Sequence, residues 1–401
     1  MQKNTRIHSL DSIRGIASMI VVIFHCLISF QVIENAYYQK FNSEILRIFT
    51  NTPLHTFWAG PEAVFLFFVL SGFVLSLPYL NSEKGGPSYH NYIIKRVCRI
   101  YLPYIITMIL YMLVIILLSD YRDIKSLSPT FNNRWDHPIT LKAVIFYIFM
   151  FDYDLANVNG VIWSLVHEMR ISIIFPLLIA VIKKVDWKVS LPFGLFSCIA
   201  INKALKTVSA LLPNENISMI VSSLGNTFYY IPFFIIGAVF AKHRMDIVSF
   251  IKKLHPLLKI LLFSIAIVLF NFRWVFHSII TNSYGKNYER LVSIMGDWII
   301  AGGVVLIFAV VLSSEKADWL LTRKPFLWLG KISYSVYLMH VMPIMLCARY
   351  LGQVIPLTIA IMLAPIFTLP LAALTYKFIE LPSMNLGKRL TGVRKEIGKG
   401  F

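Results

Sequence analysis

Charge is scarce in this chain. Lys, Arg, Asp and Glu make up 14% of its 401 residues, where soluble domains carry about 25%. That shortage excludes an ordinary water-facing surface. Cysteine is scarce too: Cys26, Cys98, Cys198 and Cys347 lie in or beside apolar runs without ligand-like spacing, so neither a disulfide framework nor a metal site is expected. No repeat or low-complexity tract stands out, and no polar stretch is long enough for a separate soluble domain. The first apolar run is not followed by a small-residue cleavage site, so it is expected to be retained.

Apolar residues are abundant instead, at 57%, in runs of about 20 residues that recur along the whole length. A run of that length crosses a bilayer as one helix. The composition therefore predicts an all-α, polytopic membrane helix bundle in a single domain spanning 1–401, with a basic tail at 386–401. The net charge of +18 reads as a topology signal, with no nucleic-acid partner.

Spans are expected at 12–33, 61–80, 100–119, 161–182, 189–207, 217–241, 257–275, 294–313, 326–349 and 353–380. A run at 141–153 is too short to cross and reads as re-entrant or interfacial. With the N-terminus inside and that run not crossing, the cytoplasmic segments gather about two thirds of the Lys and Arg outside the spans, as the positive-inside rule requires. Letting 141–153 cross would move Lys183, Lys184, Lys242, Arg244, Lys252 and Lys253 to alternate sides. About ten spans with both termini cytoplasmic is the expectation. The outer loops at 34–60, 120–140 and 276–293 carry Trp135, Tyr153, Trp274 and Tyr288 in or beside them, residues that suit an interfacial aromatic belt or stacking on sugars.

Against this apolar background a few polar residues stand out. Arg14 and His25 lie in the first span, where unpaired charge costs several kcal/mol and marks function by default. Eleven residues apart (25 − 14), they share one helix face about 16 Å apart. Arg96 and Arg99, three apart in KRVCRIYLPY, lie at the same expected depth as Arg14. Three guanidiniums at one level suit a phosphate clamp, although an arbitrary Arg pair is usually a topology anchor. In WSLVHEMR, Glu168 falls at the depth estimated for His25 and is expected to orient that imidazole as a general base. Pairing of Glu168 with Arg170 is the plainer alternative, and His167 is a rival base. Tyr334, Tyr337 and His340 share one side of ISYSVYLMH, a stripe that packing alone would also explain. Ser71-Gly72 would allow close helix approach, and Glu380 would pair with the basic inner surface.

LDSIRGIA followed by His25, FFVLSGFVLS, the Arg-x-x-Arg of RVCR, WSLVHE, ISYSVYLMH and FIELP together resemble the acyltransferase type 3 family of bacterial membrane proteins. The resemblance covers about residues 8–385, with six motifs in family order. It implies an O-acyltransferase of the bacterial cytoplasmic (inner) membrane, with acetyl-CoA or another acyl-CoA as donor, no tightly bound cofactor, and a glycan or lipid-linked saccharide as acceptor. His25 then matches the catalytic His, Arg14 its partner, Arg96 and Arg99 the donor-binding pair, and Glu168 the acidic end of its motif. Trp163, Tyr337, His340 and Ser71 become candidate substrate-binding residues. Ser12 stands where relatives commonly have Gly, and the appended hydrolase-like domain of some members is not expected here. His25 would act as a base or carry the acyl group itself. A transporter or flippase using Arg14, His25 and Glu168 as a proton or solute path is the rival from another class, favoured by intramembrane ionisable groups but not by arginines gathered at one end.

Overall fold

The structure is a computed structural model that describes residues 7–82, 86–119, 121–151, 155–284 and 289–392; Tyr153, Tyr288 and most of the basic tail lie outside them. Among the described residues the regular secondary structure is all helix, with one isolated antiparallel bridge, Phe30 to Leu127. All ten expected spans fall on helices: α1 His8–Ile28, α2 Gly60–Leu80, α3 Tyr89–Leu118, α4 Trp163–Lys184, α5 Trp187–Leu211, α6 Glu215–Lys252, α7 Pro256–Phe270, α8 Glu289–Ser313, α9 Lys324–Met339 and α10 Leu357–Leu390. Seven of these are long and apolar enough to cross a membrane, and α9 with the helix after it makes an eighth if that bent pair is one span. Among the described residues, the 141–153 run holds the short helix Leu141–Ile148, too short to cross.

Several boundaries move. Ser88 caps a helix that starts at Tyr89, where its Oγ accepts from the Asn91 amide, so Arg96 and Arg99 sit inside α3 rather than at its start. Asn214 caps α6 through two amides, and no break follows until Lys253. The basic residues of 242–252, expected in a loop, are therefore helical, and α6 is about 57 Å long, well beyond a hydrocarbon core of about 30 Å. The expected span 326–349 is broken: α9 and the following segment meet at 55° around His340. Pro343 explains the break, since it has no N–H and its ring would clash with the Met339 carbonyl in a continuous helix.

Two glycine contacts set the core. A Cβ on Gly15 would lie 2.6 Å from the Gly330 nitrogen, and one on Gly330 would lie 2.4 Å from the Asp11 carbonyl oxygen, so α1 and α9 touch backbone to backbone. Gly72 and Gly237 do the same for α2 and α6, with Cβ positions 2.2 and 2.0 Å from carbonyl oxygens of the facing helix. Close backbone approach of this kind is how helices associate where apolar burial gives no net drive.

The loop at 121–140, expected on the outer side, is packed rather than open. Ser128 Oγ donates to the Ile28 carbonyl and its amide to that of Ser29, pinning the loop to the end of α1. Trp135 is fully buried, its indole N–H on the Val158 carbonyl, and Trp274 is buried as well, its indole on Glu62. Neither belongs to an aromatic belt or an open sugar platform.

Candidate active site

The close contact of α1 with α9 places Arg14 first. Its Nε donates to Ser333 Oγ at 2.8 Å and its Nη2 to the Gly330 carbonyl at 3.0 Å, with Asp11 at 3.5 Å. On α3, Arg96 lies 3.4 Å from Glu168 Oε1 and donates to Ser172 Oγ at 3.0 Å. Arg99 pairs with the fully buried Glu380 at 2.8 Å and stacks over the Tyr334 ring. Arg99 and Glu380 both lie in π-helical turns, Val97–Tyr101 and Tyr376–Glu380, a local widening often found at functional sites.

Arg14 from α1 and Arg96 and Arg99 from α3 thus line one cavity, with Ser71, Ser164, Glu168, Tyr334 and Tyr337. Each arginine has a carboxylate beside it, so the cavity is not a bare cationic patch. A guanidinium carries five N–H donors, however, and among the described residues neither Arg96 nor Arg99 spends all of them on protein.

Glu168 differs from the expectation. It is joined to Arg96 and to Ser71 Oγ, 3.0 Å away, and no hydrogen bond or ion pair links it to His25 among the described residues. An expected match in depth carries no information about position around the helix axis. Arg170 binds Ser223, Thr227 and the Met150 carbonyl, so the Glu168–Arg170 alternative does not describe the fold either. His167 is buried on Thr227 Oγ1 at 3.0 Å, against Tyr230 and Trp163. Trp163 packs there and does not line the arginine cavity.

The partners of His25 come from elsewhere. Its Nδ1 lies 3.0 Å from Arg134 Nη2, and its ring centroid lies 5.1 Å from that of His340. Arg134 is 4% exposed, and burial brings its pKa down to about 10, still far enough above neutrality to keep it cationic. The loop pinned under Ser128 delivers it, with Arg349 donating to its carbonyl. Sequence reasoning missed Arg134 because nothing periodic marks a loop residue. The one available signal was an arginine on the side that the positive-inside rule leaves poor in arginine.

His340 occupies the break after α9. Tyr111 Oη and Asn159 Nδ2 both donate to the Leu338 carbonyl, and Tyr111 Oη accepts the Met342 amide, so the interrupted backbone is satisfied. Tyr337 ties the two regions together. It lines the arginine cavity, its ring lies 6.0 Å from His340, and its hydroxyl meets Ser164 Oγ at 2.7 Å.

A family model described as an acyltransferase domain matches residues 7–377. The chain belongs to this acyltransferase family. No curated protein and no solved structure matched it. Together with its apolar helices, the family makes the chain a multi-pass membrane acyltransferase. In this acyltransferase the arginine cavity and the histidine pair are adjacent regions of one bundle core, with α1 supplying Arg14 to the first and His25 to the second. No group of three or more His, Cys, Asp or Glu side chains suited to a metal occurs among the described residues.

Proposed function

We propose that this membrane acyltransferase moves an acyl group, acetyl in the simplest case, from acyl-CoA on the cytoplasmic side to a hydroxyl of an extracytoplasmic or lipid-linked glycan. The observation that carries the proposal is the gathering of Arg14, Arg96 and Arg99 on one cavity whose wall, at Tyr337, continues to the histidine pair. Arginine reads phosphate in a bidentate manner, and the coenzyme carries its phosphates at one end and its thioester at the other. The phosphates bind among the three arginines, and the flexible arm passes Ser71 and Tyr337 to bring the thioester to His25 and His340. Glu168 serves the donor side, as the carboxylate that holds Arg96 in place until phosphate competes for it. The acceptor hydroxyl attacks the thioester carbonyl, and the coenzyme leaves as a thiol. Residence in the bacterial cytoplasmic membrane belongs to the same reading.

The test uses the purified full chain in detergent with radiolabelled acetyl-CoA and a crude lipid-linked glycan. Transfer of label to the glycan, lost in His25→Ala with coenzyme binding retained, is expected. A folded protein that neither transfers label nor hydrolyses the thioester sinks the proposal.

A further inference from the structure

Two imidazoles face each other in this core, and their hydrogen bonds fix different tautomers. A guanidinium offers only donors. With Arg134 Nη2 at 3.0 Å, His25 Nδ1 must therefore accept, and the proton of the neutral ring sits on Nε2. His340 is the mirror case. Its Nδ1 lies 3.2 Å from the Val336 carbonyl and 2.9 Å from that of Tyr337, and carbonyl oxygens only accept. His340 Nδ1 therefore carries the proton, and its lone pair is on Nε2. Among the described residues that Nε2 is buried with no protein partner, as is Nη1 of Arg134. A buried polar atom without a partner is costly and uncommon in a settled core. Two of them beside His25 point to a site shaped for a ligand's polar atoms.

We propose that the histidines divide the work: His340 Nε2 takes the proton of the acceptor hydroxyl, and His25, held as a donor by Arg134, stabilises the oxyanion through Nε2–H. This rests on the acyl-CoA reading above and reverses the role that a lone His25 would be given. The step balances. The hydroxyl proton passes to His340 Nε2 as the C–O bond forms at the thioester carbonyl. The carbonyl electrons move onto oxygen, which accepts from His25 Nε2–H. The carbonyl then re-forms, the C–S bond breaks, and the thiolate takes the proton from His340. Both rings return to their starting tautomers. Arg134 is a positioning residue, acting through His25.

The test has a spectroscopic arm and a kinetic arm on the full-length protein in detergent. ¹⁵N-histidine NMR, assigned with His25→Gln and His340→Asn, is expected to show His25 protonated at Nε2 and His340 at Nδ1. In Arg134→Met the fixed His25 tautomer is expected to give way to a mixture, which a merely structural loop residue would not produce. In transfer assays, His340→Asn keeps a donor for the Val336 and Tyr337 carbonyls but lacks the Nε2 lone pair. A loss of about 100-fold or more is expected, the usual worth of a general base, with coenzyme binding unchanged. His25→Gln places an amide N–H where Nε2–H stands, and is expected to retain at least about tenfold more activity than His25→Asn, whose amide mimics only the Nδ1 side, as follows for an oxyanion donor. His25 protonated at Nδ1, or wild-type rates in His340→Asn, overturns the division of labour while leaving the acyl-CoA reading intact. A wild-type protein that transfers nothing overturns both.

Discussion

Arg99 and Glu380 form the most enclosed ion pair of the site, with the carboxylate fully buried. Removing one partner of a buried pair leaves the other uncompensated, at about 3–5 kcal/mol. Arg99→Ala is therefore expected to lower thermal stability by that order, and adding Glu380→Gln to recover much of it. Coenzyme binding should stay weak in both variants, since the guanidinium is missing from each. Restored binding in the double variant would remove Arg99 from the donor site. Glu168→Gln keeps its bond to Ser71 and leaves Arg96 without its carboxylate, so coenzyme binding measured by calorimetry is expected to hold or tighten, least so at high salt. At this scale the arginine group was legible, because guanidiniums expected at one depth on two helices need only have those helices meet to share a cavity. The partner of His25 was not legible. Depth fixes one coordinate of a helical residue, and the remaining angle is set by packing that no single sequence displays.

The bundle's helices were legible from apolar run length, and their ends and interruptions less so. A run of apolar residues continues straight through His340 and Pro343; the break follows from the proline's missing N–H and from Tyr111 and Asn159, distant in sequence, which satisfy the loosened backbone. The contact of α1 with α9 is equally invisible in sequence, since Gly15 and Gly330 are 315 positions apart (330 − 15). It is also the contact on which Arg14 depends. Gly330→Ala puts a methyl 2.4 Å from the Asp11 carbonyl oxygen, an overpacking expected to cost about 1–3 kcal/mol. Coenzyme binding should weaken with it as Arg14 loses its bonds to Gly330 and Ser333. Gly302→Ala, where a methyl meets nothing within 4 Å, is the control and is expected to leave both quantities unchanged in thermal melts and binding titrations. Equal losses in the two variants would show that helix flexibility, and not backbone contact, sets the effect.

At the scale of the whole molecule, the proposed reaction needs a direction across the membrane. In the proposed orientation, which follows the positive-inside rule, the arginine end of the bundle faces the cytoplasm and the loop at 121–140 faces outward. All four cysteines are buried, so a single Lys125→Cys variant gives one exposed thiol on that loop. It is expected to react with an impermeant maleimide in intact cells, and labelling only after lysis would invert the topology. The central claim is that the acyl group enters from the arginine end and leaves beyond the histidines. Proteoliposomes of known orientation, given labelled acyl-CoA on one face and glycan acceptor on the other, test it most directly. Transfer is expected when the donor meets the cytoplasmic face and the acceptor the outer face. Equal transfer with the two exchanged, or transfer only in that reversed arrangement, would contradict the account.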